Sequence, residues 1–276
     1  MEIPLLWRST AAACPSPRFA SMRSSLTRSH RLLMTMLTIS DCAQALARAG
    51  DAIPLIGGQA VGWWALRFRD RLPAEFATGV ASRDIDFWAD REQLDHYATL
   101  LQAKPQYPHQ YEMTVLAGVI PIEINGQRTS IEFLHTVPGL DVNDPDAATV
   151  LQEMDGMRFR VLDPVSLTCA KLHALRNFDQ KDRQDLHHLR VCLAVCRPFI
   201  EEASRQSVQT GIWYCERLIR NCLRQNNQRL MQRHRLEWKP SIPLETVESL
   251  LAAAELPSRD QERLKNFLEK RWSRLK

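Results

Sequence analysis

Two alternating segments around an Asn-Gly pair constrain the fold of this chain more than any other feature of its sequence. Val119 to Ile124 and Thr129 to His135 alternate in polarity, and Asn125-Gly126 lies between them. Asn-Gly is favoured in two-residue turns, whose twist matches the twist of paired strands. The segment therefore predicts a β-hairpin.

A two-residue turn also decides which side chains of the hairpin share a face. It places Val119 opposite Glu132 and Ile124 opposite Gln127, because side chains alternate between faces along a strand. One face is then apolar and packs on a core; it carries Ile120, Ile122, Ile124, Ile131 and Phe133. The other face is charged and looks into solvent or a cleft; it carries Glu123, Arg128 and Glu132.

Strands and helices are also predicted before the hairpin. Ile53 to Ile56 is a short apolar strand, and a helical pattern from Ala60 to Phe68 follows it. Asp84 to Trp88 alternates polar and apolar residues, as a half-buried strand does. Asp90 to Ala103 has the spacing of a helix. These patterns predict an α/β domain over residues 40–163.

From Pro164 onward only helical patterns remain. Pro164 suits a first helical turn, with Asp163 as its cap. We expect a helical domain over residues 164–276, with helices at Val165 to Phe178, Asp182 to Val195, Ile212 to Leu236, Leu244 to Ala254 and Arg259 to Leu275.

Residues 1–39 differ in composition from the rest of the chain. No acidic residue lies between Glu2 and Asp41, whereas arginines recur among serines and alanines. Organelle transit peptides have such a composition, and so do disordered leaders. Another interpretation is a start codon assigned too far upstream, with translation beginning at Met34 or Met36.

Charge, cysteine usage and hydropathy exclude several classes of protein. The net charge of +4 is too small to indicate a nucleic-acid partner by itself. The seven cysteines have no CxxC spacing, which argues against a disulfide scaffold and favours a reducing, cytoplasmic location. No apolar run approaches the about 20 residues that a membrane span needs, so we expect no membrane partner. We interpret His187-His188, Cys192 and Cys196 as core and surface residues rather than as a zinc site.

Three groups of residues carry candidate chemistry. Gly57-Gly58 joins a strand to a helix, where backbone N–H groups approach phosphate oxygens, although a simple tight turn is the alternative. Asp84 and Asp86 point the same way from one strand and repel each other unless a cation such as Mg²⁺ or Mn²⁺ neutralises them; two solvated surface aspartates are the alternative. Glu132 offers the third carboxylate that a two-metal site needs, and Glu123 is its rival on the same face.

Together these residues resemble the nucleotidyltransferase superfamily, whose pattern is a Gly-Gly or Gly-Ser turn, an Asp-x-Asp pair and a third acid on a strand. Lys171 to Arg176 and Lys181 to Leu186 are similar to the Lys…Ala-Leu…Arg…Asp…Asp-Leu signature of AbiEii-type nucleotidyltransferase toxins. The resemblance covers roughly residues 50–190. The chain departs from the pattern at Gly58-Gln59, where many relatives have a Ser or Thr hydroxyl that binds phosphate, and at Glu132, where Asp is commoner.

The resemblance implies a fold, an activity and partners. The fold is α/β (α+β), a nucleotidyltransferase-like mixed sheet with flanking helices, followed by the helical domain. The activity is Mg²⁺- or Mn²⁺-dependent transfer of an NMP from an NTP to a hydroxyl group of RNA (tRNA) or protein. A toxin or phage-defence role, with an antitoxin protein as partner, is a further implication.

The resemblance also assigns roles to residues. The metal would be held by Asp84, Asp86 and Glu132, and Glu132 or Asp84 would act as the base. Lys171 completes the catalytic set and supplies positive charge to the departing phosphates. The nucleotide would contact Gly57, Gly58, Arg83, Lys171, Arg176, Asp182 and Asp185.

Two helical segments bear on these roles. A helix continuous from Lys171 to Leu189 would place Asp182 near the face of Lys171, and a break at Asn177-Phe178-Asp179 is the alternative. The predicted helix from Ile212 to Leu236 is strongly basic and could dock RNA through its phosphates. A solvated face, or pairing with Asp141 to Asp146, is the other interpretation. Its cationic residues are Arg217, Arg220, Arg224, Arg229, Arg233, His234 and Arg235.

Two other functions remain open from the sequence. A regulatory module on the same fold could bind nucleotide or RNA without turnover, because the hydroxyl after Gly57 is missing and the third acid is Glu132. A metal-dependent phosphodiesterase is the third option, since acids together with Lys171 also serve hydrolysis.

Overall fold

The computed structural model of the protein describes residues 36–77, 80–140, 144–181, 183–253 and 256–275. These residues belong to one compact unit. The predicted leader over 1–39 lies outside the described residues, apart from its last four. Of these four, Leu37 and Ile39 are buried in the core, so the packed structure includes residues before position 40. The predicted boundary between residues 163 and 164 stays a prediction.

A six-stranded mixed sheet forms the centre of the fold. The strand order is β3-β4-β2-β1-β6-β5. β1 pairs in parallel with β6, and β2 with β4, whereas the other three pairs are antiparallel. The strands are β1 (Leu55–Ile56), β2 (Ile85–Trp88), β3 (Leu116–Ile124), β4 (Gln127–Leu134), β5 (Thr149–Met154) and β6 (Met157–Leu162).

Helices flank the sheet and make up the part of the chain that follows it, which confirms the predicted α/β class. They are α1 (Ala43–Ala49), α2 (Gly57–Arg67), α3 (Ala74–Ala77), α4 (Arg91–Leu101), α5 (Pro145–Ala148), α6 (Pro164–Asn177), α7 (Asp185–Gln206), α8 (Val208–Cys222), α9 (Gln225–His234), α10 (Leu244–Ala252) and α11 (Ser258–Asn266). Within the described ranges, no helix combines the length and the apolar character needed to cross a membrane.

The hairpin around Asn125-Gly126 has the predicted two-residue turn. Val119 pairs with Glu132, and Ile124 pairs with Gln127. Asn125 and Gly126 both have positive φ, +52° and +76°, as this turn requires. The register therefore places the apolar and charged faces where the alternation predicts them.

An aromatic cluster holds the strands that carry the candidate acids. The ring of Phe87 on β2 lies 5.8 Å from that of Phe133 on β4, and Tyr97 of α4 contacts both rings. The Tyr97 hydroxyl donates to the carbonyl oxygen of Ala45 at 2.7 Å. All three rings are fully buried, so the core fixes β2 beside β4.

Two predicted helices are broken in the structure. The helix expected from Lys171 to Leu189 ends at Asn177, and the next begins at Asp185, which agrees with the alternative break at Asn177-Phe178-Asp179. The helix expected from Ile212 to Leu236 is divided between Cys222 and Gln225.

The second break has a local cause. Arg224 has an extended backbone (φ −59°, ψ 129°), and the Asn227 side chain donates to the carbonyl oxygen of Asn221 at 2.8 Å. This bond satisfies a carbonyl at the end of α8, where helical carbonyls lack partners within the helix.

Arg217 is a further correction to the predicted basic helix. Its side chain is buried, with Nη1 at 3.3 Å from Oδ2 of Asp163 and Nη2 donating to the Ser166 hydroxyl at 2.7 Å. Asp163 also caps α6 as predicted, accepting from the backbone N–H of Ser166 at 2.8 Å. Arg217 is therefore part of the packing between α6 and α8.

Candidate active site

Three carboxylates meet on one face of the sheet. Asp86 on β2 pairs in parallel register with Glu132 on β4, and Asp84 lies just before β2. One carboxylate oxygen from each residue lies within 4.8 Å of the other two. This separation suits shared coordination of a divalent cation by oxygen ligands. The structure brings these three acids together, as the sequence predicts. Glu123 is not in the group: its side chain is exposed, and it pairs with Arg128 across the hairpin.

The environment of Asp86 disfavours the ionised form of its carboxyl group. Burial raises the pKa of its carboxyl well above the usual value, and the neighbouring charges of Asp84 and Glu132 raise it further. Lys171 and a hydrogen bond from the backbone N–H of Gly58 act in the opposite direction. A bound cation would remove this repulsion, so the donor set fits Mg²⁺ or Mn²⁺, which prefer oxygen ligands.

The two glycines bring the start of α2 against these acids. Gly57 has φ +68°, and a Cβ atom there would lie 1.8 Å from Oδ2 of Asp86. Both the backbone angle and the space therefore require glycine. α2 begins at Gly57 without a side-chain cap, so the positive end of its dipole lies beside the carboxylates. A helix N-terminus of this kind favours anions such as phosphate.

Ser82 supplies a hydroxyl at this turn that the sequence pattern did not indicate. A Cβ atom at Gly58 would lie 2.5 Å from the Ser82 hydroxyl, so Ser82 fills the space where a side chain at position 58 would be. The same hydroxyl donates to Oδ1 of Asp84 at 2.9 Å. Backbone hydrogen bonds in both directions with Leu37, at 2.8 and 3.0 Å, hold Ser82 in place.

Lys171 lies close enough to the acids to lower the pKa of Asp86. It is buried on α6, with Nζ at 3.0 Å from Oδ1 of Asp185. Burial would raise the pKa of Asp185, but Lys171 and Arg183 outweigh it and lower the pKa to about 2. Asp185, predicted to contact nucleotide, is thus paired with Lys171.

Two further predicted nucleotide-binding residues are exposed, unlike the buried Lys171. Arg83 is exposed, and its carbonyl oxygen accepts from the Thr129 hydroxyl at 2.6 Å. Arg176 is exposed in the last turn of α6. Asp182 lies outside the described residues. Contact of these three residues with nucleotide stays a prediction.

His188 is a second residue that the sequence pattern did not assign to the site. It is buried, whereas His187 is exposed. Across the described ranges, neither histidine belongs to a group of three possible metal ligands. A Cβ atom at Gly58 would lie 3.2 Å from Cε1 of His188, which places the ring at the start of α2.

Comparisons with known proteins give only weak likenesses. No protein-family model matches the chain. No curated protein matches it either. The Megavirus polyadenylate synthase has a TM-score of 0.35 and 13% sequence identity, with 63% of this chain and 36% of the viral protein covered. JHP933 from Helicobacter pylori has a TM-score of 0.31 and 10% identity, with 86% of this chain and 96% of that chain covered.

The chain spans about a third of the length of the viral protein. At these TM-scores neither structure supports an argument about this chain, and the functional argument depends on the geometry of the site. The specific resemblance to AbiEii-type toxins stays a prediction.

Proposed function

We propose that the protein is a nucleotidyltransferase that depends on Mg²⁺ or Mn²⁺ and moves an NMP from an NTP to a hydroxyl group of a macromolecule. The observation that carries the proposal is the meeting of three carboxylates with the start of α2. Carboxylates attract a cation, and the start of a helix attracts an anion. A nucleoside triphosphate with its divalent cation satisfies both at once.

Asp84, Asp86 and Glu132 would hold the metal. When bound, a divalent cation neutralises negative charge on the phosphate oxygens at which transfer takes place. The hydroxyl of Ser82 orients Asp84 through their hydrogen bond, and the close approach of Gly57 fixes Asp86.

The other residues would bind and orient the nucleotide. The backbone at Gly57-Gly58 would accept the triphosphate at the start of α2. Lys171 lies near enough to Asp86 to lower its pKa and would add positive charge near the phosphates. Glu132 or Asp84 would accept the proton of the attacking hydroxyl group.

RNA is the acceptor that the surface of α8 and α9 favours. Three exposed arginines lie on these helices and a fourth lies at the break between them, and the described residues show no carboxylate paired with any of the four. Such a surface attracts phosphate groups. A protein acceptor, a toxin role and an antitoxin partner remain implications of the resemblance. The four are Arg220, Arg224, Arg229 and Arg233.

Transfer of label from each α-³²P-NTP to cellular RNA and to protein, with Mg²⁺ or Mn²⁺, tests the proposal. We expect labelling by the wild type and at least a 100-fold loss in Asp84→Asn, because each electrostatic group at such a centre contributes on the order of 100-fold or more. Glu123→Gln is the matched control. It removes an exposed carboxylate from the hairpin that carries Glu132, and we expect it to leave the rate unchanged.

The pattern of labelling separates the proposed activity from its rivals. Sensitivity of the label to RNase or protease identifies the acceptor. Nucleotide binding without label or pyrophosphate release would instead indicate a regulatory module. Cleavage of nucleic acid without added NTP would indicate a phosphodiesterase. Full labelling by Asp84→Asn would contradict the assignment of the site.

A further inference from the structure

His188 is buried without a hydrogen-bond partner. It lies in the first turns of α7 and is 6% exposed. Neither Nδ1 nor Nε2 has a partner among the described residues. An unsatisfied polar group in a protein interior destabilises the fold, so buried polar groups are nearly always paired.

The polar edge of the ring faces the start of α2. The atom of His188 nearest to the Cβ position of Gly58 is Cε1, at 3.2 Å. Cε1 is bonded to both ring nitrogens. The edge of the ring that carries the nitrogens therefore faces the Gly57-Gly58 turn. The hydroxyl of Ser82, which lies just before β2, is 2.5 Å from the same Cβ position of Gly58. The start of α2 is therefore lined by a hydroxyl and an imidazole.

The surroundings of His188 decide the protonation state of its ring. Burial, together with the smaller effect of Lys171, lowers the pKa of the ring to about 3 against the opposing effect of Asp185. The ring is consequently neutral near pH 7 and has one N–H donor and one acceptor. A phosphate oxygen accepts an N–H and is attracted by the dipole of α2.

We propose that His188 is a nucleotide-contacting residue whose ring N–H donates to a phosphate oxygen held at the start of α2. The proposal rests on the proposed function for the identity of the ligand, which is the triphosphate of an NTP. It explains why a polar ring is buried at this turn without a partner in the protein itself.

Binding of inorganic triphosphate and of ATP, with Mg²⁺, to the full chain tests the proposal by calorimetry. His188→Leu removes the donor and keeps an apolar side chain in place, whereas His188→Gln keeps an amide N–H. We expect His188→Leu to raise the Kd for both ligands about tenfold, equivalent to about 1.4 kcal/mol, and His188→Gln to recover part of the loss. Binding of adenosine, which has no phosphate, should not change.

Ser204→Ala is the matched control, because Ser204 also lies on α7, is 3% exposed and has an unpartnered hydroxyl. We expect it to leave the Kd unchanged. Thermal unfolding without ligand gives a second readout. Since His188→Leu removes an unpaired polar group, it should unfold at the same or a higher Tm while binding more weakly. A residue with a purely structural role would show a lower Tm and unchanged binding.

Three outcomes separate this proposal from the proposed function. If the wild type binds triphosphate in a His188-dependent manner but transfers no label, His188 contacts the phosphate and the transferase assignment fails. If the wild type transfers label and His188→Leu binds triphosphate as tightly as the wild type, only the His188 proposal is overturned. No binding of triphosphate by a folded wild type overturns the His188 proposal as well.

Discussion

Gly57 and Asp86 approach each other more closely than any side chain at position 57 permits. Positive φ alone would tolerate substitution at a modest cost, as it does in open turns. Here the same residue also faces a carboxylate that the proposed metal site needs. The glycine at position 57 therefore permits both the local backbone conformation and the position of the Asp86 carboxylate.

Gly57→Ala should destabilise the protein and displace Asp86, since the new Cβ would lie 1.8 Å from Oδ2 of Asp86. We expect a fall in transfer rate of about 100-fold, the effect of moving a reacting group by about 1 Å. Gly50→Ala is the control, because Gly50 has a similar φ of +57° and nothing within 4 Å of its Cβ position.

Gly50→Ala should cost about 2 kcal/mol of unfolding free energy, because φ +57° with ψ −143° is a backbone conformation that L residues rarely adopt, and should leave the transfer rate intact. Urea unfolding and the labelling assay measure the two effects. Equal losses of activity in the two variants would show that backbone strain, and not the contact with Asp86, is responsible.

At the level of elements, the ion pair between Lys171 and Asp185 joins α6 to α7. Both groups are buried, so loss of Asp185 leaves Lys171 as a buried charge without its partner, whereas Asp185 is also paired with Arg183. The pair also holds the ammonium group of Lys171 near enough to Asp86 to lower the pKa of that carboxyl.

Asp185→Asn should lower the free energy of unfolding by about 3 kcal/mol at pH 7, because it leaves Lys171 buried and unpaired. The folded-state pKa of Asp185 is about 2, below its value in the unfolded chain. Its stabilising contribution is therefore complete above about pH 4 and disappears as the pH falls toward 2. Denaturant unfolding at pH 7 and pH 3 should show a smaller difference between wild type and variant at the lower pH.

The double variant Lys171→Met/Asp185→Leu separates stability from activity. Replacing both charges with apolar groups should recover most of the lost stability, while transfer stays low because Lys171 is absent. Recovery of transfer in the double variant would contradict the role proposed for Lys171.

How far the sequence predicts an element depends on how local its determinants are. The hairpin and its register follow from Asn125-Gly126 and the adjacent alternation, all within one segment. The break between α8 and α9 depends on a side chain of Asn227 that bonds to the carbonyl of Asn221, and helical spacing alone carries no sign of it. Helical spacing also places Arg217 on the basic surface, because its partner Asp163 is distant in the sequence.

The residues of the candidate site also differ in whether local sequence or tertiary packing determines their positions. Asp84, Asp86 and Glu132 could be predicted because strand alternation and one hairpin register decide which way they point. Ser82 and His188 could not, because their roles arise only when separate segments pack around the start of α2. The burial of a histidine without a partner is visible only in three dimensions.

At the scale of the whole molecule, the exposed arginines of α8, α9 and the break between them are the surface that we propose binds RNA. We expect Arg229→Glu/Arg233→Glu to weaken RNA binding by at least tenfold at low salt, largely independent of RNA sequence. The slope of log K against log salt should fall by about two, one for each RNA phosphate that an arginine no longer neutralises. Filter binding over a range of salt concentrations measures both.

The matched control for the arginine surface is Arg48→Glu/Lys104→Glu, which reverses two exposed charges outside α8 and α9. This control should leave the affinity and the slope near their wild-type values. A comparable loss of affinity in both double variants would show that net charge, and not the arginine surface, governs binding.

The strand order has a consequence for how the protein is made. β1 lies inside the sheet, between β2 and β6. Its parallel pairing on the β6 side is made by Val161. A chain still emerging from the ribosome can already contain all three acids while β1 has no parallel neighbour and Lys171 has no Asp185. Pairings between such distant segments also form slowly during folding. If the proposed roles of Lys171 and the three acids are right, the proposed activity requires synthesis through residue 185, and a shorter product of translation would contain the three acids without the Lys171–Asp185 pair.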